Sequence, residues 1–237
     1  CRDEQGRPCF SAGNSAAVFR IRLGGRIRSL RCYLRPMRHL KEIYGQRLLE
    51  KELYLHTSPE TGVWVDTVLG DWIEGSTLHE TVAQAAALRD RESLQILVRL
   101  FDRLALALVT DDRAHGDLKP ENIIVGDDGT LCPIDFDASY LPAFAGEISP
   151  ELGTAAYQHP ARTAADFDER IDDYPAALIS TALHALAEDP TLWDRYGSSD
   201  GLLYTPQRIA SDPAYRETLA LFEKRGMAVQ YRIAQLL

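Results

Sequence analysis

The sequence has no run of about 18 apolar residues, so no transmembrane helix is predicted. Its first residues also lack the apolar segment of a signal peptide. The four cysteines form no CxxC pair and have no histidine cluster beside them, which argues against a zinc site and a disulfide framework. We therefore expect free thiols in a reducing compartment and a cytoplasmic protein. Because the chain begins at Cys1 and not at methionine, we allow for further domains in a longer parent chain.

Basic residues are in the minority. The 26 lysines and arginines are outnumbered by 35 aspartates and glutamates, which gives a net charge of −9. A chain of this sign is repelled by a phosphate backbone, so nucleic acid is not an expected partner. With 237 residues, the chain can bury a substantial core as one large domain or two small ones.

The first third of the sequence has the patterns of β-strands. Residues 16–23 and 27–34 alternate apolar and polar side chains on either side of the Gly24–Gly25 pair, which predicts a hairpin. Residues 37–52 have apolar side chains three or four positions apart, which predicts a helix. Residues 63–69 return to a strand pattern.

Helical patterns dominate the rest of the chain. Thr77 followed by Glu80 has the spacing of a capping box and predicts the start of a helix. Residues 92–109 carry one broad apolar stripe, as an amphipathic helix does. From Asp172 onward the sequence is mostly helical in character. The change from strand patterns to helical patterns near Gly75 predicts that the chain is divided into two parts at this point.

The stretch HGDLKPENIIV, residues 115–125, runs from a polar loop into a short apolar strand. The turn residues 127–129 and a second strand at 131–134 follow, so a hairpin would return Asp135 to the neighbourhood of Asn122. A carboxylate and an amide oxygen are hard ligands, and together with phosphate oxygens they suit Mg²⁺.

Two other side chains of this polar loop (residues 115–122) fit the same chemistry. Asp117 could accept a proton from a hydroxyl nucleophile or orient that hydroxyl. Lys119 could neutralise charge on a transferring phosphoryl group. The loop and Asp135 therefore indicate a site that moves phosphate.

The polar loop and the motif IDFD at residues 134–137 together resemble the catalytic loop and metal-binding motif of the protein kinase superfamily, in a divergent form of the bacterial Ser/Thr type. The resemblance implies an α+β, bilobal fold with an ATP·Mg²⁺ cleft between the lobes. Residues 1–74 would form a small β-rich N-lobe with one main helix, and residues 75–237 a larger, mainly helical C-lobe of the same catalytic domain. It also implies that His115 packs and hydrogen-bonds within the loop.

The resemblance extends to the predicted N-lobe. Residues 11–18, which include Gly13 and Val18, resemble a glycine-rich loop that covers the phosphates of ATP. Arg31 occupies the position of the lysine that binds the α- and β-phosphates. Glu42 on the predicted helix would be the partner of Arg31, with Glu50 as the alternative.

Residues 68–75 resemble the hinge that binds adenine through backbone groups, here those of Asp71 and Ile73. Further along, residues 153–161 (GTAAYQHPA) resemble the end of an activation segment, and Asp172 with its two following residues resembles the start of the next helix. These two features favour the protein kinase branch over small-molecule kinases.

The chain differs from the protein kinase pattern at three more positions. Gly116 replaces an arginine that is common before the catalytic aspartate, Asp137 replaces the glycine of the metal motif, and Ala161 replaces a glutamate.

The implied function is phosphoryl transfer from ATP to a Ser or Thr hydroxyl of a protein substrate, with ATP and Mg²⁺ as cofactors. Asp117 and Lys119 would be catalytic, while Asn122 and Asp135 would hold Mg²⁺. A small-molecule kinase of the aminoglycoside or choline phosphotransferase type is an alternative. So is a nucleotide-binding pseudokinase that serves as an interaction module, which Arg31 motivates.

Overall fold

The chain folds into two compact units with different secondary structure. In the computed structural model, which describes residues 1–2, 5–13, 15–56, 58 and 60–237, the units are Cys1–Ile73 and Glu74–Leu237. The first is built on an antiparallel sheet and the second is mainly helical. The prediction of an α+β, two-lobed, protein-kinase-like fold is thereby confirmed. The division falls one residue before the expected boundary between residues 74 and 75.

The first unit is a sheet in which the strands lie in the order β1-β2-β3-β5-β4. These strands are β1 (Phe10–Ala12), β2 (Ala16–Leu23), β3 (Arg26–Tyr33), β4 (Leu48–His56) and β5 (Gly62–Asp71). The predicted hairpin joins β2 to β3, and its turn residues Gly24 and Gly25 have φ angles of 55° and 78°. Glycine adopts these positive angles without the steric cost that a Cβ atom brings.

The helix predicted over residues 37–52 is wrong for most of that range. The observed helix, α1, covers Leu40–Tyr44 and is followed by a short 3₁₀ turn at Gly45–Arg47. Residues 48–56 form β4 instead, paired antiparallel with β5. Leucines at positions 48, 49, 53 and 55 are compatible with a helical or a strand period, and the backbone hydrogen bonds offered by β5 favour the strand.

The second unit begins with β6 (Gly75–Thr77) and α2 (Leu78–Ala87). Thr77 is the N-cap of α2, and together with Glu80 it forms the predicted capping box. The predicted apolar stripe lies on α3 (Arg91–Thr110). The hairpin strands are β7 (Ile123–Gly126) and β8 (Leu131–Pro133), and the later helices are α4 (Asp173–Glu188), α5 (Leu192–Tyr196), α6 (Pro213–Arg225) and α7 (Ala228–Ala234).

Two apolar residues fix the polar loop to the core of the second unit. Leu118 and Ile123 are fully buried, and they belong to the same apolar cluster as Phe101 of α3 and Ile179 of α4. Full burial of a side chain of this size stabilises a protein by about 1.5–3 kcal/mol. Residues 119–122 therefore lie between two buried apolar side chains.

Cys1, Cys9, Cys32 and Cys132 are free thiols. Within the described ranges, no helix is long and apolar enough to cross a membrane.

Asp102 joins α3 to α4 by two hydrogen bonds. Its carboxylate accepts from the Ser180 hydroxyl at 3.0 Å and lies 3.0 Å from His184 Nε2. Partial burial tends to raise the pKa of Asp102, but the bonds from His184 and Ser180 outweigh it, so the pKa lies below its ordinary value.

Asp102→Asn is therefore expected to lower the free energy of unfolding at pH 7 by about 1 kcal/mol, a small value because the Asp102 side chain is 45% exposed and solvent screens the pair. The lowered pKa stabilises the fold above the ordinary aspartate value of about 3.9, and this contribution disappears as the pH falls through the folded-state value. The free energies of unfolding of wild type and variant, measured in urea, should converge once the pH is below the folded-state pKa of Asp102. A difference that stays constant from pH 7 to pH 2 would contradict this assignment.

Candidate active site

Asp117 lies at the centre of a hydrogen-bond cluster in the second unit. Its Oδ1 accepts the Thr154 N–H at 2.6 Å, and its Oδ2 accepts from Asn122 Nδ2 at 3.1 Å. Lys119 Nζ lies 3.3 Å from the same Oδ2 and donates to the Thr154 hydroxyl at 2.7 Å. Asn122 Nδ2 also donates to the Asp117 carbonyl at 2.9 Å. The structure therefore brings Asp117, Lys119 and Asn122 together at one carboxylate.

Opposing effects act on the pKa of Asp117. Burial alone would raise it, but the positive charge of Lys119 and the hydrogen bonds from Thr154 outweigh burial, so the pKa lies below its ordinary value. Such a carboxylate is ionised at neutral pH, yet it is a weak base, because the best general base has a pKa near the working pH. The environment of Asp117 suits a group that orients a hydroxyl.

The β7–β8 hairpin brings Asp135 next to Asn122 along the backbone. Ile123 pairs with Pro133, and the Ile134 N–H donates to the Asn122 carbonyl at 2.8 Å. Asp135 follows with a φ of 68°, in the left-handed region that aspartate and asparagine occupy more often than other residues with a side chain. The hairpin thus returns the chain to the loop as the sequence predicted.

The donor set at this hairpin fits Mg²⁺ in combination with phosphate. Asn122 uses Nδ2 for both of its hydrogen bonds to Asp117, so the amide Oδ1 is the atom suited to a cation, and Asp135 adds a carboxylate. In the part of the chain that the structure describes, no group of three or more His, Cys, Asp or Glu side chains could hold a metal ion. A cation here would need further oxygens, and Mg²⁺ commonly takes them from substrate phosphates.

His115 has the packing role that the resemblance implies. It is 2% exposed, and its ring centroid lies 4.9 Å from that of Phe136. Its Nδ1 accepts the Asp117 N–H at 3.3 Å, which places the ring proton on Nε2, the donor to the Ile134 carbonyl at 2.7 Å. The histidine fixes the polar loop to the chain that leaves β8.

Gly116 cannot carry a side chain in this fold. Its φ is +81°, and a Cβ atom would lie 2.0 Å from the Ala138 carbonyl oxygen. The backbone conformation therefore accounts for the glycine that stands where many protein kinases have arginine.

Asp172 anchors the amides that precede Asp117. Its Oδ1 accepts the Gly116 N–H at 3.0 Å, and its Oδ2 accepts the His115 N–H. Asp172 is the N-cap residue of α4, yet its side chain makes no capping bond to that helix. Burial raises the pKa of Asp172, and the two amide bonds offset only part of that effect. The start of α4 is thus committed to holding the polar loop.

The sequence pattern identified residues 153–161 as a segment of interest. It did not identify every side chain in or next to this segment that binds the polar loop. The Gly153–Thr154 pair was the available signal for Thr154. Gln158 Nε2 and Arg162 Nη1 reach the Gly116 carbonyl at 3.5 and 3.3 Å. No local pattern indicates the Arg162 contact, which joins residues 46 positions apart.

Two of the predicted nucleotide-binding residues of the first unit, Val18 and Arg31, lie on the same face of its sheet. Arg31 on β3 lies directly opposite Val18 on β2 and Val68 on β5, so the three side chains share a face. Gly13 lies in the turn from β1 to β2. Asn14, which belongs to the predicted glycine-rich stretch, lies outside the described residues.

The other predicted nucleotide-binding residues of the first unit lie on α1, on β4 and at the end of β5. Glu42 is exposed on α1, and the alternative, Glu50, is exposed on β4. Asp71 ends β5, and its backbone carbonyl accepts the Ser29 hydroxyl at 3.1 Å. Ile73 is half-buried at the end of the unit. The Asp71 carbonyl thus already has one hydrogen-bond partner.

Comparisons with known proteins give distant similarity to Ser/Thr protein kinases. No family model matches the chain. The Ser/Thr protein kinase PknL of Mycobacterium tuberculosis is 34% identical over 113 residues, which is 45% of this chain and 27% of the relative. The Ser/Thr protein kinase chk1 of Schizosaccharomyces pombe is 25% identical over 160 residues, which is 65% of this chain and 31% of the relative. The chain spans less than a third of the length of these curated relatives, and the matches support a kinase-like relationship.

Proposed function

We propose that this chain transfers the terminal phosphoryl group of ATP to a Ser or Thr hydroxyl of a protein substrate. The observation that carries the proposal is the Asp117 carboxylate, bound at once by Lys119, Asn122 and the Thr154 N–H, beside the hairpin that carries Asp135. The distant similarity to Ser/Thr protein kinases supports the same chemistry.

Each polar side chain of the second unit has a role in this proposal. Asp117 would orient the attacking hydroxyl, since its lowered pKa makes it a weak base. Lys119, only 3.3 Å from that carboxylate, would place positive charge where the transferring phosphoryl group becomes more negative. Asn122 and Asp135 would hold Mg²⁺. Bound there, the ion would neutralise phosphate oxygens.

The first unit would supply the nucleotide contacts. Arg31 would bind the α- and β-phosphates with Glu42 as its partner, and Gly13 and Val18 would lie over the phosphates. The backbone of Asp71 and Ile73 would contact adenine. Arginine suits phosphate because its planar fork can form two parallel hydrogen bonds.

A nucleotide-binding pseudokinase is a second candidate, and one observation favours it. Helix α1, which carries Glu42, has only five residues, and Glu42 is exposed. A single helical turn is a weak platform for an ion pair that must hold Arg31 in place. In this reading the chain would bind nucleotide and act as an interaction module.

A labelled-ATP assay distinguishes these functions. Wild-type protein is incubated with γ-labelled ATP and Mg²⁺, with casein as an acceptor protein and with a mixture of choline and an aminoglycoside as small acceptors. We expect label in the protein fraction, and chelation of Mg²⁺ by EDTA should remove it. Label in the small acceptors alone would identify a small-molecule kinase. ATP binding without label in either fraction would exclude transfer to these acceptors and to the chain itself, and would favour the pseudokinase.

A further inference from the structure

The Gly116 carbonyl, one bond before Asp117 in the chain, is held by side chains from a distant segment. Arg162 Nη1 donates to it at 3.3 Å, and Gln158 Nε2 lies 3.5 Å from it. The same Nη1 donates to Gln158 Oε1, so Arg162 and Gln158 brace each other. The peptide unit between Gly116 and Asp117 is therefore bonded on its carbonyl side by a guanidinium.

The rest of this guanidinium is buried without hydrogen bonds. Within the described part of the chain, Arg162 Nε and Nη2 have no hydrogen-bond partner. Burial lowers the pKa of Arg162, while the nearby carboxylates of Asp172, Asp117, Asp166 and Asp168 raise it. Arginine nevertheless keeps its proton in proteins. A buried cation with unused donors is costly to stability, so the presence of Arg162 near the carboxylates of Asp117 and Asp172 points to a role other than stabilising the fold.

The backbone conformation of Gly116 indicates what the role of Arg162 is. Two carboxylates lie close to the Gly116 backbone, because Asp117 follows Gly116 in the chain and Asp172 accepts the Gly116 N–H. A cation that balances them cannot come from position 116, because a Cβ atom there would lie 2.0 Å from the Ala138 carbonyl oxygen. Arg162, 46 residues later in the sequence, places a positive charge at the Gly116 carbonyl instead.

We propose that Arg162 is a positioning residue of the active site, which fixes the peptide unit before Asp117 and supplies the positive charge that position 116 cannot carry. The inference rests on the proposed phosphoryl transfer for its kinetic consequence. Its structural part, the fixing of residues 115–117, can be tested whether or not transfer occurs.

Arg162→Met tests both parts, with Arg170→Met as the matched control. Arg162 and Arg170 line one cavity of about 310 Å³, but the Arg170 side chain is 76% exposed and its partner is Asp173, at 3.4 Å. In Arg162→Met we expect kcat for transfer to fall about 10²-fold with the KM for ATP unchanged, because small misplacements of a catalytic group can cost that much. Backbone amides of residues 115–117 should exchange with deuterium faster. Arg170→Met should match wild type in both measurements.

The outcomes separate the two proposals. If the wild type transfers no phosphoryl group but Arg162→Met still exchanges faster than wild type at residues 115–117, the proposed function is overturned and the positioning role is supported. Wild-type exchange and wild-type kcat in a folded Arg162→Met protein would overturn the positioning role. So would a change in KM with kcat unaltered.

Arg162→Lys keeps the test decisive if the methionine variant does not fold. Lysine retains the charge, but its flexible stem does not hold the donor nitrogen in the fixed position that the planar guanidinium gives Nη1, so both bonds should be looser. For Arg162→Lys we expect a kcat below that of wild type and of Arg170→Met but above zero. We also expect faster deuterium exchange at the Gly116 amide than in wild type. Wild-type values in both measurements would overturn the inference.

Discussion

Asp135→Asn is expected to slow Mg²⁺-dependent phosphoryl transfer by about 10³-fold or more. A metal ion contributes several kcal/mol of charge stabilisation to such a reaction, and each 1.4 kcal/mol corresponds to a factor of ten in rate. The neutral amide would be a much poorer ligand than the carboxylate. Asparagine is the right replacement because Asp135 has a φ of 68°, a conformation that asparagine tolerates and alanine does not.

The matched control is Asp127→Asn, which makes the same charge change in the exposed turn of the same hairpin. We expect this variant to transfer phosphate at the wild-type rate. Thermal unfolding of both variants checks that the fold is intact, and calorimetry of ATP binding with and without Mg²⁺ checks the metal dependence. If Asp135→Asn is folded and as fast as wild type, Asp135 does not hold the metal.

Gly116→Ala is expected to destabilise the second unit by about 3 kcal/mol or more. The substitution combines a positive φ, which costs a residue with a side chain about 1–3 kcal/mol, with overpacking, which typically costs a further ~1–3 kcal/mol. The collision partner is a backbone oxygen, that of Ala138 at 2.0 Å from the new Cβ, and it cannot move as a flexible side chain could. Arginine at this position, the residue common in protein kinases, should be at least as harmful.

Gly129→Ala separates these two costs. Gly129 has a φ of +77°, close to the +81° of Gly116, but a Cβ atom there would meet nothing within 4 Å. We expect a loss of only about 1 kcal/mol from the backbone conformation. Denaturant unfolding reports on the second unit when Trp64 and Trp72 of the first unit are replaced by phenylalanine, so that the fluorescence comes from Trp193. Equal decreases in the free energy of unfolding in the two variants would show that the contact with the Ala138 carbonyl does not destabilise Gly116→Ala.

Much of the fold is visible in the sequence because its signals are local. The Gly24–Gly25 turn, the Thr77 capping box and the stripe of α3 each depend on residues within one element. The hairpin that returns Asp135 to Asn122 has a similar local origin, in the turn at residues 127–129. These features were predicted correctly for that reason.

The parts that escaped prediction depend on residues far apart in the chain. Residues 48–56 became a strand because β5 supplies a hydrogen-bonding partner, although their leucines also fit a helix. The short α1 followed from that choice. The contacts of Arg162 and Asp172 with the polar loop span 46 and 57 residues, and no local pattern encodes them.

The commitment of the α4 N-cap to the polar loop has a consequence for synthesis on the ribosome. A nascent chain that has emerged as far as residue 160 contains Asp117, Asn122, Asp135 and Thr154, but it lacks the carboxylate that binds the His115 and Gly116 amides. That carboxylate belongs to Asp172, 57 residues after His115. Contacts of such long range form late, because the chain between them must first be ordered. The polar loop therefore reaches its final form only after the start of α4 has left the ribosome.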